Sequence, residues 1–265
     1  MDATGDHQKH FVLVHGACLG AWSWFKLIPL LEAAGHRVSA FDLSASGTDT
    51  KVIQQVTTLS DYTLPLLEFM ATIPADEKVV LVGHSLGGMN IALAMEKFPE
   101  RIAVAVFFTA FMPDSTHKPS YVLDTYNEKT PPEDRLDAKF LPYNNEKDSE
   151  TSILFGPKFI SHKLAQLCSD EVDRELLKIL VKPSSLFLKD LHNAPKFTKE
   201  GFNYVQRVFV VCNEDQAIPK DFQQWMIDNN PVAEVKELKV VDHMPMLSDP
   251  KQVSVCLLDV ALQYA

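Results

Sequence analysis

Short apolar runs alternate along the first part of the chain with stretches whose apolar residues recur at helical spacing. His10 to Val14, Lys78 to Val82 and Arg101 to Phe108 have the length and composition of buried parallel strands. Trp22 to Ala34 and Leu86 to Lys97 carry apolar residues at helical spacing. A strand followed by a helix, repeated in this way, predicts a parallel sheet with helices on both faces.

Two weaker elements complete the first half of this pattern. Arg37 to Leu43 is strand-like, and it follows Gly35, a residue that commonly ends a helix. Tyr62 to Ala71 has helical spacing, with Ser60 or Asp61 available as its N-cap.

The pattern breaks after Phe111, where residues 112–198 contain many prolines, several short helical stretches and no convincing buried strand. Further predicted elements follow this block: a strand at Arg207 to Cys212, a helix near Asp221 to Asn229, a strand near Val235 to Val241 and a terminal helix from Pro250 to Tyr264. We therefore predict an α/β fold with a mostly parallel, doubly wound sheet, formed by residues 1–111 and 199–265. Residues 112–198 are predicted to be an inserted, largely helical cap.

Composition narrows the classes of protein that fit. A chain of 265 residues with 46% hydrophobic residues suits one globular unit, and no apolar run reaches the roughly 18 residues that span a bilayer. Met1 to His10 is polar and has no apolar signal region, so we expect a cytoplasmic protein. The net charge of −10 argues against nucleic acid and membrane surfaces as partners.

The cysteines indicate neither a redox motif nor a metal site. They are far apart in the sequence and form no CxxC pair, at Cys18, Cys168, Cys212 and Cys256. We expect reduced, mostly buried thiols, and the sequence implies no metal and no organic cofactor. It leaves open whether the chain forms a homodimer.

The strongest chemical signal is Gly83-His84-Ser85-Leu86-Gly87, a G-x-S-x-G sequence between a predicted strand and a predicted helix. That setting is typical of the nucleophile elbow of the α/β-hydrolase fold, in which a serine stands on a strained turn. Side chains two positions either side of the serine would collide, which explains the glycines. The motif predicts Ser85 as the nucleophile of acyl transfer.

A serine nucleophile needs a histidine base and an acidic residue that orients this histidine. In the α/β-hydrolase fold these residues occur along the chain in the order serine, acid, histidine. Among nine histidines, His243 alone lies late enough and at a strand end. Asp215 directly follows the strand Arg207 to Cys212 and is the preferred acid. Glu214 stays an alternative, while Asp242 is too close to His243 in sequence to turn back onto it easily.

The oxyanion of the reaction needs two backbone N–H donors. One is expected from Leu86, after the nucleophile, and the other from Ala17 in the loop after the first strand. Gly16 would permit close approach of the substrate, and Phe111 lies near a strand end, where ligands bind in open α/β sheets. The residues predicted to contact the substrate are Gly16, His84, Phe111 and Met244.

Several segments resemble the plant methylesterases, a family that includes methyl salicylate esterase, polyneuridine aldehyde esterase and the related hydroxynitrile lyases. The segments that carry the resemblance are HFVLVHGA at residues 10–17, KLIPLLEAAGH at 26–36, VGHSLGGMN at 82–90, MPDS at 112–115, FGPKF at 155–159 and DHMPML at 242–247. The resemblance covers nearly the whole chain. It implies a cytosolic esterase acting on methyl salicylate, methyl jasmonate, methyl indole-acetate or an alkaloid methyl ester, with Ser85, Asp215 and His243 as its triad and Ala17 and Leu86 as its oxyanion donors.

Pro245 departs from this family's pattern, which has a small residue there, and we expect it to reshape the floor of the substrate pocket. Two other functions compete with ester hydrolysis. A hydroxynitrile lyase would carry threonine, glutamate and lysine at the positions of Gly16, His84 and Met244, and this chain has none of the three. A non-catalytic binding protein for a small carboxylic acid hormone would be compatible with an intact triad.

Overall fold

A computed structural model describes residues 8–145 and 149–265 of the chain. The first seven residues of the polar N-terminal segment lie outside these ranges. A sheet of six strands, all paired in parallel, occupies the centre in the order β2-β1-β3-β4-β8-β9. Its strands are β1 His10–Val14, β2 Arg37–Ala40, β3 Val79–His84, β4 Ile102–Phe108, β8 Arg207–Cys212 and β9 Glu234–Leu238. The predicted fold class is confirmed.

Successive residues of each strand point to opposite faces of the sheet, so apolar side chains lie on both faces. Helices pack over both of these faces. The helices are α1 Ile28–Ala33, α2 Leu59–Thr72, α3 Gly87–Lys97, α4 Tyr121–Lys129, α5 Pro157–Phe159, α6 Glu171–Leu180, α7 Leu188–Asn193, α8 Lys220–Asn229, α9 Pro245–Ser248 and α10 Pro250–Tyr264. Val12 and Leu81 belong to one apolar core with α2, α3 and α8. Leu13 and Val80 belong to a second core with α1 and α10.

Several predicted boundaries differ from the structure by a few residues. The single helix expected from Trp22 to Ala34 is a 3₁₀ turn, Ala21–Trp24, followed by the separate helix α1. Pro29 explains the break, since proline fits the first turn of a helix but not its interior. Helix α2 is capped by Thr58, whose hydroxyl accepts the Asp61 N–H at 3.0 Å, and not by Ser60 or Asp61. Strands β2 and β9 each end three residues earlier than expected.

The chain leaves the sheet after β4 and returns to it at β8. In between it forms helices and a second, three-stranded antiparallel sheet, with β5 Lys139–Pro142, β6 Thr151–Leu154 and β7 Ser184–Ser185. The sequence analysis found no convincing buried strand in this block and did not predict this small sheet. These strands are two to four residues long and β5 is exposed throughout, so they lack the apolar run that marks a buried strand. The division into a core and a cap at residues 112–198 stays a prediction.

Across the two described ranges, every helix is too short or too polar to cross a membrane.

The sheet register places three segments that matter for chemistry side by side. Val14 is paired with Gly83, and Gly83 with Phe107. The loop after β1, the turn after β3 and the segment after β4 therefore begin at one edge of the sheet, the carboxyl edge where open α/β sheets bind their ligands.

Candidate active site

Ser85 stands on a tight turn between β3 and α3. Its backbone is in the left-handed region, with φ at +55°, and its side chain is 9% exposed. A Cβ atom on Gly83 would lie 2.7 Å from the Gly87 carbonyl oxygen, and one on Gly87 would lie 2.7 Å from the Val14 carbonyl oxygen. The turn closes only with glycine at both positions, and it holds the Ser85 hydroxyl at the N-terminal end of α3.

The loop after β1 is held by His15 and passes close to this turn. The Leu43 N–H donates to His15 Nε2 at 3.1 Å, so Nδ1 carries the proton and donates to the Gly16 carbonyl at 2.9 Å. A Cβ atom on Gly16 would lie 2.7 Å from Ser85 Cβ, which shows how closely the loop approaches the serine. Within the described residues, the N–H groups of Ala17 and Leu86 have no protein acceptor. Both predicted oxyanion donors are therefore available to bind a substrate oxygen.

Asp215 is held by four donors and is 2% exposed. Its Oδ1 accepts the N–H groups of Ala217 and Ile218 at 2.7 and 2.8 Å. Its Oδ2 accepts the Thr109 hydroxyl at 2.5 Å and faces His243 Nδ1 at 2.6 Å. Glu214, the alternative acid, is exposed. The structure therefore brings together the histidine and the preferred acid.

His243 is 3% exposed and faces the same cavity as Ser85. Because a carboxylate only accepts hydrogen bonds, the contact with Asp215 places a proton on Nδ1 and leaves Nε2 free to take the serine proton. Among the described residues, no hydrogen bond joins the Ser85 hydroxyl to His243. In unliganded active sites such a bond is often long and tightens only when substrate is bound.

Two buried groups fix the backbone around His243. His84 Nε2 donates to the His243 carbonyl at 2.7 Å, and burial lowers the pKa of His84 well below its usual range, so this imidazole is neutral. The Asp242 carboxylate accepts the Met244 N–H at 3.0 Å and the Ser248 hydroxyl at 2.9 Å. Asp242 thus holds the loop that carries His243, and its carboxylate makes no hydrogen bond to that ring among the described residues.

A cavity of about 330 Å³ lies above Ser85 and His243. Most of its wall is aromatic or aliphatic, and more than half of its lining residues come from residues 112–198. Its apolar walls are formed by Ala17, Phe111, Tyr126, Phe140, Ile153, Phe155, Phe159, Leu164, Leu186, Phe222 and Trp225. The charged residues that line it are Lys129, Asp134, Arg135 and Asp221.

Of the four residues predicted to contact the substrate, the described cavity wall contains Phe111 but not Gly16, His84 or Met244. His84 and Met244 are fully buried. The His84 ring packs between Trp24 and His243, behind the triad. Pro245 is likewise absent from the described wall, contrary to the expectation that it shapes the pocket floor, and it instead starts helix α9.

Two site residues were missed by the sequence analysis. Thr109 directly follows β4 and donates its hydroxyl to Asp215, and a polar residue just past a buried strand was a usable signal for it. Tyr126 lines the cavity from α4, and its sequence context carries no signal that distinguishes it from an ordinary core aromatic. Within residues 8–145 and 149–265, no three histidine, cysteine or acidic side chains come together as a metal site.

Comparison with known proteins gives consistent matches over almost the full length. A family model described as the alpha/beta hydrolase family matches residues 11–254. Salicylic acid-binding protein 2 of Nicotiana tabacum is 59% identical over 97% of this chain and 98% of its own. Methylesterase 1 of Arabidopsis thaliana is 52% identical over 96% of both chains. The crystal structure of polyneuridine aldehyde esterase superimposes with a TM-score of 0.93 at 50% identity, covering 96% of this chain and 99% of that one.

Proposed function

The chain belongs to the alpha/beta hydrolase family, and within it to the plant methylesterases, and from this we propose that it cleaves methyl esters of small apolar carboxylic acids with Ser85, His243 and Asp215. It is a carboxylic ester hydrolase. The observation that carries the proposal is the 2.6 Å contact between His243 and Asp215, at the base of an apolar cavity that also exposes Ser85.

The first half of the reaction forms an acyl-enzyme. Ser85 Oγ attacks the ester carbonyl while His243 Nε2 takes the hydroxyl proton, and Asp215 stabilises the imidazolium that results. The oxyanion of the tetrahedral intermediate accepts the N–H groups of Ala17 and Leu86. When the intermediate collapses, the proton on His243 passes to the leaving oxygen, and methanol departs.

The second half repeats these steps with water as the nucleophile. His243 takes a proton from water, the hydroxide attacks the acyl carbon, and the same two N–H groups receive the oxyanion. The bond to Ser85 Oγ then breaks as His243 returns the proton to it, and the free carboxylic acid leaves. No metal or organic cofactor takes part in this scheme.

Selectivity for the acid part follows from the cavity wall. Rings such as Phe111, Phe155 and Trp225 favour an aromatic or terpenoid acid, since burial of apolar surface contributes about 25 cal/mol per Å². A methanol leaving group needs only the proton from His243. We therefore propose that a methyl ester is cleaved faster than the glyceryl ester of the same acid.

We place this activity in the cytosol. The four cysteines carry free, buried thiols, and this is typical of proteins in a reducing compartment.

The test is acid release from purified protein given a panel of methyl esters of aromatic and terpenoid acids, with butyl and glyceryl esters of one of those acids. Ser85→Ala should abolish turnover. Ser60→Ala, which alters an exposed serine on α2, is the matched control and should retain the wild-type rate.

The competing functions give different results in the same experiment. Binding of the acids without turnover of any ester would indicate a binding protein. Cyanide release from a cyanohydrin without ester cleavage would indicate a lyase. Faster acid release from the glyceryl ester than from the methyl ester would refute the proposed selectivity.

A further inference from the structure

Tyr126 connects the cap to the loop that carries the catalytic acid. Its hydroxyl donates to the Ala217 carbonyl at 2.6 Å, across a sequence separation of 91 residues. Ala217 lies two residues after Asp215, in the segment from residue 213 to 219 that we call the acid loop. The tyrosine belongs to α4, and its ring forms part of the cavity wall.

The carbonyl that Tyr126 binds belongs to a peptide unit that also holds the acid. The Ala217 C=O and the Ile218 N–H are the two ends of one planar peptide group. The Ile218 N–H donates to Asp215 Oδ1 at 2.8 Å. A continuous chain of hydrogen bonds therefore runs from the Tyr126 hydroxyl through this peptide group to the carboxylate that orients His243.

We propose that Tyr126 is a positioning residue for catalysis. Its hydroxyl orients and polarises the Ala217–Ile218 peptide group, and this keeps the Asp215 carboxylate aligned with His243 Nδ1. The inference rests on the proposed function, since it assigns Tyr126 a role in that same triad. Consecutive hydrogen bonds strengthen one another, so the donor on the carbonyl makes the opposite N–H a better donor to the carboxylate.

The surroundings of Tyr126 suit this role. Burial raises the pKa of its hydroxyl to about 12, so it is a protonated donor at neutral pH. Its ring meets Phe111 and Phe222 edge to face, at centroid distances of 5.0 and 5.4 Å, which fixes the direction of the hydroxyl.

The acid loop is also held from within the core, where one side chain joins its C-terminal part to the residue that precedes it. The buried amide of Gln223 donates to the Ile218 carbonyl at 2.7 Å and to the Cys212 carbonyl at 3.1 Å. Gln223 thus anchors the loop to the end of β8, whereas Tyr126 is the anchor supplied by the cap. Because Tyr126 also lines the cavity, the alignment of the acid depends on the position of the cap over the substrate.

The decisive variant is Tyr126→Phe, which keeps the ring in the cavity wall and removes only the hydroxyl. We expect kcat for a methyl ester to fall by about three- to tenfold, the size of one net hydrogen bond, with KM unchanged. Rates are normalised to active sites titrated with a fluorophosphonate. Tyr121→Phe is the matched control, because Tyr121 lies on the same helix and stacks on His117 at 4.0 Å, outside the acid loop.

A double-mutant cycle separates positioning of the acid from a general loss of structure. Hydrolysis of 4-nitrophenyl acetate is measured for all four variants. Tyr126→Phe should lower it about three- to tenfold in the wild-type background and by less than about twofold in an Asp215→Ala background, since the group that it orients is gone there. If Asp215→Ala does not fold, Asp215→Asn takes its place, and a clearly smaller effect than in the wild type is expected.

An equal loss in both backgrounds, or no loss in the wild-type background, would overturn the role of Tyr126. A Ser85→Ala variant that remained active would instead refute the proposed function itself, so the two failures are distinguishable.

Discussion

Thr109 offers a direct test of how Asp215, the proposed catalytic acid, is stabilised. Its side chain is fully buried, and its hydroxyl donates to Asp215 Oδ2 at 2.5 Å. Thr109→Val replaces this donor by a methyl group of similar shape. The backbone φ of +38° at this position is equally strained for either β-branched residue, so the change isolates the hydrogen bond.

The magnitude follows from the charge of the acceptor. A hydrogen bond to a charged group contributes about 1.5–3 kcal/mol, and the buried carboxylate has no water to replace the lost donor. We expect the free energy of unfolding to fall by that amount, and the melting temperature by about 3–12 °C for a chain of this size. Turnover should fall less, because Ala217, Ile218 and His243 still hold Asp215.

Thermal unfolding followed by circular dichroism measures the effect. The control is Thr125→Val, which removes a hydroxyl that donates at 2.8 Å to the neutral carbonyl of Tyr121 on a partly exposed helix face. Its cost should be about 1 kcal/mol or less. A melting temperature for Thr109→Val that is no lower than that of Thr125→Val would refute the reasoning about the buried carboxylate.

Two further predictions concern the triad and the buried histidines. His243→Ala should lower kcat about 10⁶-fold and Asp215→Asn about 10⁴-fold, whereas Glu214→Gln should change kcat little. A large loss of kcat in Glu214→Gln would identify Glu214 as the catalytic acid instead of Asp215. Burial lowers the pKa of both His15 and His84 in the folded protein. Below about pH 6.5 the unfolded chain therefore binds protons that the folded chain excludes, and stability should fall by about 1.4 kcal/mol per pH unit for each of these histidines. Urea unfolding at pH 7.5, 6.5 and 5.5 checks this, and an unfolding free energy that stayed level over the range would contradict it.

The four inner strands of the central sheet, β1, β3, β4 and β8, were predictable because they are buried almost throughout. The apolar run His10 to Val14 and the terminal helix Pro250 to Tyr264 match the observed elements residue for residue. Ser85 was also predictable, since the G-x-S-x-G motif is local in sequence and a side chain on Gly83 would collide with Gly87 four residues later. The collision that requires Gly87 involves the Val14 carbonyl of a neighbouring strand and is visible only in the fold.

The predicted cap and the residues that support the proposed triad depend on contacts between distant segments. The four residues of β5 are exposed, and the strand is defined by pairing with β6 rather than by its own apolar pattern. Tyr126 binds a carbonyl 91 residues away, and nothing in its neighbourhood along the chain indicates that partner. His84 was expected to contact substrate because it precedes the nucleophile, but alternation along β3 turns its ring toward the core behind the triad.

The left-handed backbone at Ser85, the proposed nucleophile, sets stability against catalysis at this one position. An L-residue in that conformation costs about 1–2 kcal/mol relative to glycine, which adopts it freely. A gene duplicate released from the need to cleave esters would gain stability by mutating this serine to glycine. The same substitution would end covalent chemistry while leaving the cavity intact, so one codon separates an esterase from a more stable protein that could only bind the acid.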